Sequence, residues 1–446
     1  MRFRQFALLF SLGVMALTSR SFADEDIVSE QLRLCNTGSG YVAIHACSAM
    51  ISSGIMSPTN LAYVFSNRAA RYIDVGQIDD AISDLGQAIS LDSKFTAAYD
   101  NRGNAYILKG EYDLALADFE LALKLDPSDA VAIHGRGIAH EKKGDPDRAM
   151  SDYDEAIRLK PDDAAAYLSR GIARLRKGER DLAKADLDQS IRIRPTYSGA
   201  LFLRGQIYQQ MGDHKSAIAD FDQVISLSPD SPSYFKRAQS YRELGDYDRA
   251  IADYGEVIRL TPNFEGGYYY RGLSYSIMGM SDLAINDLNR VVELKPAFEG
   301  GYYVRGRTYQ KRGDFDHAIA DFDKALNLQP EDAVVLNSRC YARAEQGEQL
   351  DSALADCSRA LQIKASDAAT LDSRGLVYLR LGRFDEAISD YNAALGYKPD
   401  QAASLFGRGI AKLRKGDTEG SKADIAAAEA RDNQIRATFS AFGVTP

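Results

Sequence analysis

The sequence predicts an all-α protein, a solenoid of stacked helical hairpins, and three observations carry that prediction. A pattern recurs every 34 residues from 62 to 435; each period holds two stretches of helical apolar spacing split by Gly or Gly-Asp; and prolines gather at the period's end. Hydrophobic residues make up 45% and charged residues 26% of the 446, too apolar for a disordered chain. The formal net charge is −9, and loss of the arginines in the first twenty residues makes it more acidic. Such a surface argues against a backbone-driven nucleic-acid binder or a polybasic membrane clamp.

Residues 1–23 read as a cleavable export signal. Arg2 and Arg4 open it, an apolar core of about a dozen residues follows, and Ser21-Phe22-Ala23 precedes the acidic run Asp24-Glu25-Asp26. A membrane anchor needs about 20 apolar residues. Cys35 is too far along for a lipid anchor, so the expected mature chain has no integral membrane segment and belongs in the periplasm or outside the cell, where disulfides persist. The four cysteines fall as two close pairs, Cys35 with Cys47 and Cys340 with Cys357. Two disulfides are the favoured reading and buried thiols the alternative; His45 beside the first pair makes a poor zinc signature. Positions 340 and 357 look one helical turn off register, so the second bond needs help from an extra residue near Gln349.

Residues 24–61 read as a worn, incomplete hairpin, with 27–35 as its first helix, 36–40 as its turn and 44–50 in its second. The array, 62–435, holds eleven units: nine of 34 residues, one of 33 and one of 35. Apolar or aromatic residues sit at unit positions 4 and 11 in the first helix and at 20, 24 and 27 in the second. Proline at position 32, as in Pro127, Pro161 and Pro296, ends the second helix. No hairpin of this size buries its apolar face alone, so neighbours must stack. One unit is a residue short at Asp230-Ser231-Pro232 and another long near Gln349; a local change of pitch is expected at both. Residues 436–446 form a C-terminal cap or tail, with a short helix expected within 433–442.

This pattern resembles the tetratricopeptide repeat family over 62–435. The match rests on Gly at position 8 (Gly103, Gly137, Gly171, Gly306), Tyr at 11 (Tyr106, Tyr208, Tyr275), Ala at 20 (Ala115, Ala149, Ala217) and the prolines at 32. The resemblance implies a right-handed superhelical solenoid of about eleven helix-turn-helix units. The family's Trp at position 4 is replaced, as by Tyr99, Tyr167 and Tyr268. Position 7, commonly Leu in the family, is Arg in all eleven units, and position 23 is Asp in all eleven. Arg271 with Asp287 and Arg305 with Asp321 exemplify an expected ladder of structural ion pairs, within one unit or across a seam, because a packed Arg needs a carboxylate.

Chemistry is harder to find. The five histidines form no ligand set, Gly266-Gly267 and Gly300-Gly301 lack a following phosphate-loop signature, and the repeats leave no room for a catalytic domain of ordinary size. No enzyme, no metal and no cofactor are expected. The resemblance implies a groove lined by positions 2, 5, 9, 12 and 13 of the first helices. Position 5 places Phe202, Phe235, Tyr269 and Tyr303 there, with Gln206, Gln209, Gln239, Arg242, Arg307 and Gln310 beside them. An exposed aromatic wall for a peptide is one reading; rings packed between successive first helices are the other. The family's clamp for a C-terminal carboxylate is not supported, since Asn104 at position 9 stands with Asp100 at position 5. A non-catalytic protein- or peptide-binding scaffold of the cell envelope is the expected function, and a passive spacer the alternative.

Overall fold

The computed structural model describes residues 22–446; the leader expected over 1–23 lies outside them, apart from the two residues that open the first helix. The chain divides into two compact units, one ending at Gln210 and one running from Met211 to Pro446. The first contains α1 Phe22–Thr37, α2 Gly40–Ser52, α3 Pro58–Asp74, α4 Ile78–Leu91, α5 Thr96–Lys109 and α6 Tyr112–Leu125. It continues with α7 Ala130–Lys142, α8 Pro146–Leu159, α9 Ala164–Arg176, α10 Arg180–Ile193 and α11 Ser198–Gln210. The second begins with α12 His214–Leu227, α13 Ser231–Glu243, α14 Tyr247–Leu260, α15 Glu265–Ile277, α16 Ser281–Leu294, α17 Glu299–Lys311 and α18 Phe315–Leu328. It ends with α19 Ala333–Gln346, α20 Leu350–Ile363, α21 Ala368–Arg380, α22 Phe384–Tyr397, α23 Ala402–Arg414, α24 Thr418–Glu429 and α25 Ile435–Ala441.

The helix ends follow from the repeat. Asp129, Asp163 and Asp332 accept N–H bonds at the starts of first helices, and Asp145, Asp246 and Asp314 do so at the starts of second helices. Where the two helices of a hairpin cross, the alanines at position 20, from Ala81 to Ala387, are fully buried. Beside them, position 8 faces position 24. A Cβ on Gly103 would stand 2.8 Å from the Phe119 ring, and one on Gly137 equally close to Tyr153, so at these two crossings glycine lets the helix seat against the ring.

Both disulfides lie at this crossing. Cys340 and Cys357, whose Cα atoms are 5.6 Å apart, hold positions 8 and 24 of their hairpin; the expectation that those positions are a turn off register is therefore wrong. Cys35, one repeat length before Ala69, is bonded to Cys47 in the hairpin of α1 and α2, whose turn is only Gly38 and Ser39 rather than 36–40. The extra residue near Gln349 is taken up in its own turn, where Gly347 and Gln349 adopt left-handed φ of 83° and 51°. Arg380 from α21 donates to the Ala344 and Glu345 carbonyls at 2.6 and 3.0 Å. The crossing itself does not shift, since Arg339 still forks Asp356.

The arginines at position 7 are held within their own hairpins. Arg271 donates to both oxygens of Asp287 at 2.8 Å, and Arg305 to both of Asp321 at 2.7 and 2.6 Å. The same fork joins Arg68 to Asp84, Arg102 to Asp118, Arg237 to Asp253 and Arg408 to Asp424. The third nitrogen, Nη1, frequently crosses the seam to position 25 of the preceding hairpin: Arg170 to Asp154, Arg204 to Asp188, Arg305 to Asn289 and Arg339 to Asp323, at 2.6–2.8 Å. Position 11 completes the site. A Tyr there lies 5.6–6.0 Å from the guanidinium, as Tyr72, Tyr106 and Tyr275 do; in other repeats Arg174, Arg343 or Lys412 gives the aspartate a second cation.

Beyond α25 the tail turns at Gly443 and runs back along the first helices. Phe439 packs on Phe406 at 4.9 Å, Phe442 meets Tyr341 edge-on at 6.3 Å, and the Thr445 carbonyl accepts from Arg414.

Two stability predictions follow from the crossing and the fork. Arg271→Leu strands Asp287, which is only 3% exposed, and should cost about 3 kcal/mol in urea melts. Adding Asp287→Tyr should recover at least half of it, with faster amide exchange confined to the repeats flanking 265–298; a double variant no more stable than the single would show the pair to be independent charges. At the second disulfide, Cys340→Ser with Cys357→Ser should lose about 3 kcal/mol, the entropic value for a loop of this size. Cys340→Gly with Cys357→Tyr, which rebuilds the glycine–ring crossing, should lose clearly less in the same melts.

Candidate functional site

In the C-terminal unit, three successive first helices enclose a recess of about 310 Å³. Helix α17 supplies Arg307, Gln310 and Lys311; α19 supplies Asn337, Ser338, Tyr341 and Glu345; α21 supplies Ala369, Asp372 and Ser373; and Gln401, just before α23, completes the lining. These residues converge because side chains four apart share a helix face and α17, α19 and α21 repeat that face.

The polar atoms of the recess are unevenly satisfied. Gln310 Nε2 donates to Glu345 Oε2 at 2.6 Å, and Ser404 Oγ to Asp372 Oδ1 at 2.5 Å. Ser338 and Ser373 spend their hydroxyl protons on the carbonyls four residues back, Val334 and Ala369. The Asn337 Oδ1 is buried and accepts from nothing. Burial pushes the Glu345 carboxyl up to about 7, against the opposing pull of the Gln310 bond and the Arg307 charge. Burial likewise raises Asp372 to about 6, with Ser404 and Gln401 pulling the other way. Burial, with the Glu345 and Asp372 charges adding to it, drives the Tyr341 phenol above its ordinary value. The position-23 aspartates are gripped by arginines, whereas neither recess carboxylate has a Lys or Arg nitrogen within 4 Å among the described residues.

Of the residues singled out in the sequence, Arg307 and Gln310 line the recess. The exposed aromatic wall is corrected: Phe202, Phe235, Tyr269 and Tyr303 are all half-buried. Phe235 is edge-on to Tyr254, Phe264 and Tyr270 at 5.3–5.8 Å. Tyr269 packs on Phe298, and Tyr303 on Phe322. Phe235 and Tyr269 thus reach residues at the seam with the next hairpin, whereas Tyr303 packs on a ring of its own hairpin. Arg242 lies 5.0 Å over the Tyr270 ring and pairs with Glu243. Gln206 on α11 and Gln239 on α13 are half-buried. The residues missed were Asn337, Glu345 and Asp372; the signal for Asn337 and Asp372 was polarity at position 5, where the four preceding repeats carry a ring.

A second acidic residue at position 5 lies in the N-terminal unit. Asp100 is 5% exposed and its Oδ1 has no partner. It turns not to Asn104 but to Asp129, which caps α7. Burial first, and the Asp129 carboxylate second, push Asp100 up to about 8, so it is protonated at neutral pH.

Hairpins of two amphipathic helices, each turning at a glycine and repeating about every 34 residues, define a helical repeat protein. Sequence models described as tetratricopeptide repeat match 97–129, 134–198, 198–231, 266–298 and 301–332, and one described as TPR repeat matches 238–279 and 375–416. The chain belongs to the tetratricopeptide repeat family, whose members are generally protein-interaction scaffolds. No curated protein matches the sequence. Among solved structures it is similar to the Cut9–Hcn1 hetero-tetramer of APC/C, at 15% identity over 94% of each chain with a TM-score of 0.47. It is also similar to yeast Tom70, at 17% over 86% of this chain and 94% of that one with a TM-score of 0.35. YrrB, a TPR protein with an unusual peptide-binding site, gives 20% over 42% of this chain and 97% of that one, TM-score 0.39. No helix among the described residues is long and apolar enough to cross a membrane.

The Asp100 pair has a pH signature. The unfolded chain loses this proton near pH 4 while the folded chain keeps it to about 8, so stability is present below pH 4 and is lost as pH rises through that window. Asp100→Asn should flatten the fall: its gain over wild type in urea melts should be larger at pH 8 than at pH 4 by several kcal/mol, about 5 for the full shift. Parallel pH profiles for the two proteins would place an ionised Asp100 in the fold.

Proposed function

We propose that this protein is a non-catalytic scaffold of the cell envelope that binds a protein or peptide on the first-helix face of α17, α19 and α21. The observation that carries the reading is the recess itself: a polar cavity at groove-facing positions, in a family of interaction scaffolds, holding two carboxylates without a counter-ion and a buried amide oxygen, Asn337 Oδ1, without a donor. Export is supported by the basic, apolar and small-residue zones of 1–23 and by the two disulfides, which suit an oxidising compartment.

The half-buried rings hold hairpins together in this reading, and the recess holds the partner. Ala369 is exposed at its edge, so Ala369→Trp fills the cavity without disturbing the core. Tagged protein isolated from envelope extract should begin at Asp24, and a partner cross-linked to the wild type should be reduced about tenfold or more with Ala369→Trp. A passive spacer would capture the same proteins with either form, and an intact Met1 would remove the envelope assignment.

A further inference from the structure

We propose that the recess between α17, α19 and α21 is a cation-binding pocket, which takes the guanidinium or ammonium of an arginine or lysine followed by an acidic residue in a partner peptide. The inference rests on the scaffold reading above and names the chemistry that the partner must bring.

The argument starts from how this protein treats its other buried carboxylates. Each position-23 aspartate described above meets a guanidinium fork, because a carboxylate removed from water needs charge-assisted donors. Glu345 and Asp372 are half-buried, yet they receive only neutral donors, Gln310 and Tyr341 on the first and Ser404 and Gln401 on the second. A carboxylate accepts about four hydrogen bonds, so both retain capacity, and Asn337 Oδ1 adds a buried acceptor with none of its bonds made. The unmet demand in the recess is therefore for donors. A guanidinium carries five N–H donors and no acceptor, and an ammonium three; either supplies positive charge as well. An anion or a carbonyl compound would leave all three acceptors unpaired.

Size and rim narrow the choice. The volume of about 310 Å³ is at the small end for ligand pockets, roughly 300–1,000 Å³; it admits one side chain or a small molecule and no folded segment. At the edge, Arg307 and Lys311 are exposed on α17. They repel an isolated cation at the mouth and attract a carboxylate beside it. A cationic side chain next to an acidic one satisfies floor and rim together, which a bare polycation does not.

The charged and titratable groups facing the site are Arg307 and Lys311 from α17, Tyr341 and Glu345 from α19, and Asp372 from α21, while Gln401 and Ser404 at α23 do not titrate. Because Glu345 and Asp372 lose their protons only at about 7 and 6, a cation that needs them ionised binds more tightly as pH rises through that range.

The test is calorimetry on the full mature chain with acetylated, amidated tetrapeptides of alanine whose central pair is Arg-Glu, Gln-Glu or Arg-Gln, and with free arginine. Arg-Glu should bind at least about tenfold tighter than Gln-Glu, and tighter than Arg-Gln and free arginine. Its affinity should rise between pH 5.5 and 7.5. Glu345→Gln and Asp372→Asn should each weaken it about fivefold or more, and together abolish the pH dependence. Should a variant unfold, carbon-13 carboxyl titration of the wild type serves instead: the Arg-Glu peptide should lower both midpoints. Equal binding of Arg-Glu and Gln-Glu, or midpoints that do not move, overturns the proposal; free arginine binding as well as the peptide overturns the peptide source. If Ala369→Trp loses the cross-linked partner while Arg-Glu fails to bind, the cation assignment falls and the scaffold stands. The reverse result retains the pocket and removes the scaffold from this face.

Discussion

The guanidinium at position 7 is the constraint on which the other packing in each repeat depends. Its fork, Nε and Nη2, locks the first helix to the second through an aspartate that is nearly out of water, and its Nη1 often reaches the preceding hairpin. One side chain thus sets both the crossing inside a repeat and the register between repeats. Such a pair adds little net stability over an apolar one, because desolvation offsets much of the attraction. What it adds is geometric: a planar fork accepts only a narrow range of helix offsets. Tyrosines at positions 4 and 11 flank the same guanidinium, as around Arg102 and Arg237.

Next to the fork lies the point of closest approach, and the sequence fills it in more than one way. Gly103, Gly137, Gly306 and Gly375 each face an aromatic ring, gaining about 2–3 kcal/mol from full burial of the ring; Gly171, Gly272 and Gly409 face aliphatic side chains, and two hairpins carry a disulfide there. The longer turn of the hairpin with Cys340 and Cys357 shows that the crossing is the stiffer element. An inserted residue is absorbed by Gly347 and Gln349 in left-handed conformations, with Arg380 satisfying the carbonyls that the turn frees.

The recess inverts the rule of the ladder. Inside the hairpins, acid meets base and both are spent; between α17, α19 and α21, acids meet amides and hydroxyls and remain available. Desolvation without a counter-ion raises Glu345 and Asp372 toward neutral pH, the condition under which a small energetic input from a partner changes their ionisation. The returning tail brings Phe442 against Tyr341, so the C-terminus contributes to the packing of a residue that lines the cavity.

The sequence by itself determined the period, the helix type, the caps and the chemistry of the pairs. These follow from local spacing: 3.6 residues per turn, Asp at helix starts, Gly where φ is positive, Arg and Asp recurring at two fixed positions. It left open whether Arg271 meets Asp287 in its own hairpin or across a seam, and only the packed structure decided that the fork stays within while Nη1 can cross. It also placed Phe235 and Tyr269 on a groove without telling whether they face water, because exposure depends on which neighbours reach the same space. The recess was least legible. Asn337, Glu345 and Asp372 are dispersed over 36 positions and look like ordinary polar residues; what sets the two acids apart is the absence of a counter-ion, and Asn337 the absence of a donor, properties of the tertiary surroundings and not of the residues themselves.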